Sequence, residues 1–441
     1  MSRFAVVAQT LVIVALGACG RLGFDSIEVD GSTGSDATSD AAPASCPGGE
    51  LLCLDPSFNG GGGVSVHHED NSTFGYQGVA VQPDGKIVVA GQVFTANDQH
   101  AAVFRFNEDG TTDTSFAGGH FELPVSLGST TSVMLVPDGS IVGVGTAGGV
   151  GLIFWVEADG TSRTSFGVNG ATSSNLGTDD SVTFNGIARD PATGDVFVGG
   201  QGHVNTGGFD IVYGRVTPQG DFVSSFTTTH QALALDQFGS LLGIDATGKI
   251  DLVGQSFNGA DFDGLIQHVD PGTGAETEWA DFTDARLPGD FRYLSGVHLP
   301  DGSIVATGNI GPSGGPYNVG ITKLGPSSGN MLPPDMSFGT AGLTTLSYGV
   351  SDESRSIVRL ADGRFLVGVR VNTADGLQHS TIVLVDPNGA ELASISPAFT
   401  PDIVDNGVLW LTVDAQGRVV VLGDVGGTIG PEVYLSRLIV P

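Results

Sequence analysis

The chain has 441 residues, and 48 acidic against 17 basic side chains give it a formal charge of −31, which disfavours binding to nucleic acid or to anionic lipid headgroups. Its three cysteines, Cys19, Cys46 and Cys53, all precede residue 54, so the body of the chain is neither a thiol enzyme nor a cysteine-ligated metal protein. Glycine is abundant, at 69 residues, but 40% of the chain is hydrophobic and the glycines recur at regular spacing, the pattern of turns between many short strands in an all-β fold.

The first stretch is an address. After Met1–Arg3, the segment Phe4–Ala18 is apolar apart from Gln9 and Thr10. Fifteen residues are short for a hydrocarbon core about 30 Å thick, so a secretory signal fits better than an uncleaved anchor. Leu16-Gly17-Ala18-Cys19 resembles a bacterial lipobox, although Gly17 is less common there than Ala or Ser. That resemblance implies a signal peptide over residues 1–18, a lipidated Cys19 as mature N-terminus and attachment to a membrane through the lipid alone. Gly20 is not the aspartate that retains many such proteins at the inner membrane, so the resemblance implies an exported outer-membrane lipoprotein, facing either the periplasm or the exterior.

Residues 19–52 read as a tether. Asp25–Ser45 is rich in Ser, Thr, Gly, Ala and Asp, with little to bury. Gly20 to Ser45 would reach ~85 Å fully extended and average nearer ~30 Å. Cys46 and Cys53 flank a Pro-Gly-Gly loop, and after export a disulfide between them would pin the chain where the tether ends.

From residue 53 to the end, one unit repeats. Pro83–Gly91, PDGKIVVAG, is a turn leading into an apolar strand, and its turn glycine recurs as Gly85, Gly139, Gly194, Gly248, Gly302, Gly363 and Gly417. The steps are 54, 55, 54, 54, 61 and 54 residues. A second glycine, expected to end the strand, follows as Gly91, Gly145, Gly200, Gly254, Gly308 and Gly423; the sixth copy instead has Gly368 one place early and Val369 in its place. Another strand follows in each copy, and five of the seven carry a basic side chain in it: Arg105, Arg215, His268, Lys323 and Arg437. They read as repeated structural ion pairs or as stems snorkelling between sheets, with a ring of cations around a pore as the alternative.

A phenylalanine, usually after serine, marks each unit: Phe58, Phe116, Phe166, Phe226, Phe282, Phe338 and Phe399. Phe58 precedes the first turn glycine and nothing equivalent follows the last strand, so the array starts part-way through a unit. A closed ring explains that offset: the strand around Leu54–Val64 would complete the last sheet. Seven units of about 55 residues with about four strands each predict a seven-bladed β-propeller, with an open β-solenoid as the alternative.

Leu54-Asp55-Pro56-Ser57-Phe58, Ala80–Ile87, Ala90-Gly91, Phe104-Arg105-Phe106-Asn107 and Asp109-Gly110 together resemble the bacterial delta-60 repeat. The resemblance covers Leu54 to the end, with copies three and four keeping the turn but losing Pro-Asp-Gly. It implies an exported, propeller-like protein and assigns no catalytic residues.

Other motifs fall inside the repeat. Gly143–Gly148 matches G-x-G-x-x-G, but a dinucleotide site needs a helix there and another strand follows. Gly311–Gly315 and Gly325–Gly329 match G-x-S-x-G in proline-bearing loops rather than at a strand-to-helix elbow. For metals, the candidates are His67 and His68 in His67-His68-Glu69-Asp70, and Asp261 and Asp263 in Asp261-Phe262-Asp263-Gly264; the last, like Asn107–Asp113, resembles part of a calcium loop without its distal glutamate. Turn chemistry accounts for the Asp-Gly pairs, so no cofactor is expected beyond calcium as the one candidate. The function expected is a monomeric, non-enzymatic binding or structural module of the cell envelope. Its protein or glycan ligand would meet the segments that depart from the repeat, 177–181, 280–293 and 308–317. The alternative is a metal-dependent hydrolase or lactonase with its site at the propeller channel.

Overall fold

The computed structural model describes residues 45–61, 64–67, 78–94, 98–176, 181–203, 209–228, 237–244, 249–257, 261–270, 276–281, 289–326, 332–397, 405–426 and 432–441. They form seven antiparallel sheets. Blade 1 comprises Val79–Val81, Ile87–Phe94, Gln99–Phe106 and His120–Leu123, and blade 2 Gly128–Leu135, Ile141–Ala147, Val150–Val156 and Ala171–Ser174. Blade 3 comprises Val182–Arg189, Val196–His203, Phe209–Val216 and Phe222–Thr228, and blade 4 Gln237–Ile244, Ile250–Phe257, Phe262–Val269 and Glu276–Asp281. Blade 5 comprises Asp290–His298, Ile304–Gly311, Asn318–Leu324 and Leu343–Leu346, and blade 6 Ser351–Arg359, Phe365–Asn372, Gln378–Val385 and Glu391–Ile395. Blade 7 takes Asp405–Val413, Val419–Gly426 and Glu432–Ile439 from the end of the chain.

The fourth strand of blade 7 comes from the beginning of the chain, in two pieces. Cys53–Leu54 pairs with Ile439 and Leu438, and Val64–His67 with Ser436–Val433, around a 3₁₀ turn at Phe58–Gly61. The first strand of every blade packs against the first strand of the next, and Asp405–Val413 against Val79–Val81, so the ring is closed. The chain is a seven-bladed β-propeller.

The repeated residues have identifiable work. Gly85, Gly139, Gly194, Gly302, Gly363 and Gly417 all sit at φ between 78° and 91°, where a side chain would be strained; Gly248 lies outside the described residues. Before them, aspartates accept the backbone N–H two residues on, as Asp84 does from Lys86 and Asp138 from Ser140. The second glycine does not end its strand, as the sequence pattern suggested. Each strand runs on for two or three residues, and the glycine faces a bulge in the first strand, seen between Thr130 and Ser132, Phe184 and Gly186, Phe238 and Ser240, Tyr293 and Ser295, and Val408 and Trp410. There the first strand comes so close that a Cβ on Gly308 would lie 1.6 Å from the Arg292 carbonyl oxygen, and one on Gly200 1.9 Å from that of Thr183. In blade 6 the register places Val369 opposite Ser354 and Gly368 opposite Ser356, which accounts for the shifted glycine.

The basic side chains of the third strands are each paired with an aspartate and do not form a ring around a pore. Arg105 meets Asp113 at 2.7 Å, Lys323 meets Asp335 at 3.0 Å and Arg437 meets Asp55 at 2.6 Å. Arg215 meets Asp195 at 2.6 Å and His268 meets Asp251 at 3.0 Å. In blades 1 and 7 the arginine also lies over the marker phenylalanine, Arg105 at 4.4 Å from the Phe116 centroid and Arg437 at 5.1 Å from that of Phe58. Both then donate to a carbonyl in the next blade, Arg105 to Ala158 and Arg437 to Glu108. The N–H after the phenylalanine does likewise, from Asn59 to Asp109, Gly167 to Gln219 and Gly339 to Asn388. Blade 2 exchanges the roles: Trp155 stands in the third-strand position, and Arg163, from the aspartate position, stacks over it at 4.6 Å.

The closing joint is the most buried of the arginine–aspartate pairs. Both side chains of the Arg437–Asp55 pair are 4% exposed, and Cys46, disulfide-bonded to Cys53, is buried against Ile439. Burial alone would push the Asp55 carboxyl up, but the Ser57 hydroxyl and amide and the Arg437 guanidinium more than offset it and hold it below its usual range. Removing one member of such a pair strands the other, at a cost of about 3–5 kcal/mol. Asp55→Ala is therefore expected to lower the denaturant midpoint of the whole propeller in one cooperative transition, with Val168→Ala, at a side chain 78% exposed, as the neutral control; an unchanged midpoint would show that the ends of the ring are not held this way.

Asp55, Asp113 and Asp335 share this depressed titration, Asp335 reaching about 2 through the Ser337 hydroxyl and Lys323. A carboxyl whose pKa is lowered by folding stabilises the fold above the unfolded value near 3.9 and loses that contribution as pH falls through the folded value. The melting temperature is accordingly expected to drop between about pH 4 and pH 2, and the drop to shrink in Asp335→Asn.

Candidate functional site

The two faces of the ring differ. One carries the turns between first and second strands, five or six residues long in every blade, and the connections between third and fourth strands, which run from 5 to 18 residues. The other carries the turns between second and third strands and the connections from one blade to the next, and the variable segments fall there. Of these, residues 177–180 lie outside the described residues, leaving Ser181 at the entry to blade 3. The described parts of 280–293 and 308–317 are brought together.

They meet around Asp290, the first residue of the first strand of blade 5. Its Oδ2 accepts from Arg292 and from the Tyr317 hydroxyl, each at 2.7 Å, and from the Gly314 N–H at 3.3 Å. Its Oδ1 accepts from the Phe262 N–H of blade 4 at 3.0 Å. The Arg292 guanidinium lies between two rings, 4.2 Å from the Phe262 centroid and 5.4 Å from that of Tyr317. Burial would raise the Asp290 carboxyl; the Phe262 amide, the Tyr317 hydroxyl and Arg292 outweigh it and keep the group ionised. Burial and the Asp290 charge push the Tyr317 hydroxyl up, so it stays protonated and donates. A cation fixed between aromatic faces, with its side chain still 26% exposed, is a preorganised contact point of the kind common at binding surfaces. The sequence marked these segments by their departure from the repeat, but it did not show that Asp290, Arg292 and Tyr317 converge.

A second cluster was not foreseen. Asp251, fully buried, meets His268 of its own blade and His298 of the first strand of blade 5. Burial would raise its pKa, but His298 and His268 hold it low. The register equivalents of Asp251 are apolar in the other six blades: Val88, Val142, Phe197, Val305, Leu366 and Val420. A polar residue at an otherwise apolar repeat position was the available signal. Asp251 thus joins the two histidines across the joint of blades 4 and 5.

The metal candidates are dispersed. His67 ends a strand in blade 7, and its side chain, like the whole of His68, lies outside the described residues; so does Cys19. Asp263 is buried within the third strand of blade 4 and Asp261 precedes that strand, so residues 261–264 run extended and do not wrap a ligand loop. Both aspartates are engaged with other groups. In the other calcium-like stretch, Asp109 accepts from Thr111, and Asp113 is taken by Arg105, Lys86 and Ser115. Among the described residues, no group of three or more His, Cys, Asp or Glu side chains is placed to hold a metal ion. Gly143–Gly148 lies in and just after the second strand of blade 2, which turns back into Val150–Val156.

A family model described as a domain of unknown function (DUF5122) β-propeller matches residues 82–116. No curated protein matches the chain. Among solved structures, the chain is similar to the WD40 repeats of RRP9, at 12% identity and a TM-score of 0.52, over 85% of this chain and 97% of that one. It is also similar to Drosophila Semaphorin 2a, at 11% identity and a TM-score of 0.51, over 86% of this chain and 75% of the other. At such identities the likeness is one of fold alone.

Proposed function

We propose that this protein is a lipid-anchored β-propeller of the cell envelope that acts as a non-enzymatic binding module, presenting one face of blades 4 and 5 to a protein or glycan ligand. The propeller fold supports a binding or structural role in general. The observation that carries the finer reading is the convergence of the two described departures from the repeat on Asp290, Arg292 and Tyr317. Repeat positions are tied to blade packing, whereas segments that depart from the repeat are free to specify a partner. The alternative, an envelope metal-dependent hydrolase or lactonase, is not favoured, because it calls for several His and acidic side chains within reach of one ion and the described residues hold no such group.

The address rests on the lipobox-like Leu16–Cys19 and the Ser/Gly/Asp-rich stretch after it. The protein is proposed to be an exported, monomeric outer-membrane lipoprotein attached through the lipid on Cys19, with its tether giving the ring reach into the periplasm or the exterior. Cys19→Ala is expected to move the protein from the membrane fraction to the soluble fraction of cells; retention in the membrane would end the anchor reading.

The contact face is tested in the same cells. A photo-crosslinking residue at the exposed Ser313, in the blade 5 loop, is expected to yield a discrete adduct that Arg292→Ala weakens, while one at Asp84 on the opposite face yields none. Equal labelling from both positions, or no adduct from Ser313, would rule out this face.

A further inference from the structure

We propose that blade 6 carries a binding site for a neutral polyhydroxylated ligand, a saccharide unit, in a pocket it forms with the first strand of blade 7. The pocket has a volume of about 460 Å³ and opens to solvent. That lies within the range of about 300–1,000 Å³ usual for small-molecule sites. It is separate from the Asp290–Arg292–Tyr317 cluster and does not rest on the role assigned to that cluster.

The lining states the ligand chemistry. Thr373, Ser380, Thr381, Ser394, Ser396 and Asn406 line the pocket; the Thr373 hydroxyl donates to Asp375 and that of Ser380 accepts from Tyr434, which leaves Thr381, Ser394, Ser396 and the Asn406 amide as the polar groups for a ligand. Tyr348 and His379 add a phenol and an imidazole, and Val371 and Pro397 supply apolar surface. No carboxylate, ammonium or guanidinium is among the lining groups, on a protein whose net charge is −31. Hydroxyls and amides both donate and accept, so they match a ligand that does the same at several closely spaced atoms; a phosphate or a carboxylate would call for a cation. Rings and short apolar surfaces beside them suit the C–H faces of a sugar.

The floor is buried and preorganised. Ser380 is 1% exposed; its N–H donates to Asn406 Oδ1 at 2.8 Å, and its Oγ accepts from the Tyr434 hydroxyl at 2.7 Å. Thr381, 7% exposed, shares a hydrogen bond of 3.1 Å with Ser396 Oγ. The pocket wall is thus held in place before any ligand arrives.

The register across the seven blades supplies an independent argument. Ser380 lies opposite the second-strand residue that follows the bulge-facing position. The other six blades carry Ala101, Gly151, Ile211, Gly264, Val319 and Val433 there. At the next position, where blade 6 has Thr381, they carry Ala102, Leu152, Val212, Leu265, Gly320 and Tyr434. Five of these last six have no side-chain oxygen, and the sixth, Tyr434, points its hydroxyl at Ser380. Blade packing is therefore satisfied without hydroxyls at both positions. Blade 6 alone carries hydroxyls at both; successive strand residues point to opposite faces, so Ser380 turns to Tyr434 of blade 7 while Thr381 turns to Ser396, just past its own outer strand, and the pocket opens beside them.

The test uses the full-length protein with its disulfide intact, probed by ligand-observed NMR and calorimetry. The probes are glucose, galactose, mannose, N-acetylglucosamine and, as the charged comparison, glucuronate. At least one neutral sugar is expected to bind with a Kd of about 1 mM or tighter, and glucuronate more weakly than its neutral parent. Thr381→Val, which installs the blade 3 residue, is expected to weaken that binding about ten-fold. The exposed Ser394→Ala, which leaves the buried floor untouched, serves as the second variant should Thr381→Val fail to fold, and is expected to weaken binding several-fold. Arg292→Ala is expected to leave it unchanged. Absence of binding by every neutral probe, binding that survives both pocket substitutions, or tighter binding of glucuronate would each overturn the assignment.

Discussion

The ring is held shut by a charge pair whose members stand 382 residues apart in the chain: Arg437 in the last strand and Asp55 in the first folded segment. Each is almost fully buried, and each is satisfied beyond the pair, Asp55 by Ser57, and Arg437 by Ser57 Oγ and the Glu108 carbonyl of blade 1. Neither can leave without stranding the other. The same joint, with a local partner, links blade 1 to blade 2. Closure is thus one more copy of an ordinary inter-blade contact, made long-range by a permutation of strands. What differs is its entropy: the closing contact encloses nearly the whole chain and forms only when every blade between is in place. A disulfide loop seated against Ile439 fixes the segment that must be captured.

A closed ring of radial sheets still leaves an inner edge on every blade, where the first strand has no further strand to pair with. The bulge is how this chain treats that edge. It breaks the edge at a fixed level, and small hydroxyl side chains there take up backbone groups of the neighbouring first strand. Ser295 Oγ accepts from the Ile357 N–H, Ser356 Oγ from the Leu411 N–H, and Thr131 Oγ1 donates to the Phe184 carbonyl. The glycine facing the bulge permits the close approach. Hub and rim are therefore both sewn from blade to blade, one by hydroxyls and the other by arginines that pair with an aspartate of their own blade and donate to a carbonyl of the next, with apolar clusters filling the space between.

This division explains what could be read from the residues alone. The copy number, the strand content and the borrowed outer strand were legible because each depends on features local to one unit, and the phase of Phe58 against Gly85 reports the permutation directly. The ion-pair role of Arg105, Lys323 and Arg437 was legible from their recurrence among so few basic residues. The bulge was not, because a glycine at the end of an apolar run looks like a strand terminus; only the pairing partner across the sheet shows that the strand continues. The convergence of Asp290 with Tyr317, and of Asp251 with His298, was hidden for a related reason. Each links residues of adjacent strands or blades at a register that turn length decides, and no spacing rule encodes it.

The repeat also gives a criterion for which departures matter. Some close upon themselves. Blade 2 swaps Trp155 and Arg163 across one joint and keeps the stack. After the bulge-facing position the copies read Gln92, Thr146, Gln201, Gln255 and Asn309, then Arg370 and Asp424, and the two charged members pair at 2.7 Å over Gly407. Asp251 is likewise matched by two histidines. Each change is compensated by another, as expected where selection maintains only packing and charge balance. The Asp290 cluster and the Ser380-Thr381 pair are different in kind. The Ser380-Thr381 pair adds hydroxyls at positions where the other blades pack without them, beside an open pocket; the Asp290 position is also polar in blades 6 and 7, as Ser351 and Asp405, and what sets its cluster apart is a partly exposed guanidinium held between two rings. Compensated change is the signature of a scaffold, and polar change that stays open to solvent is that of a surface kept for a partner. By that criterion the binding role proposed for this ring falls to the blade 4–7 sector of a single face.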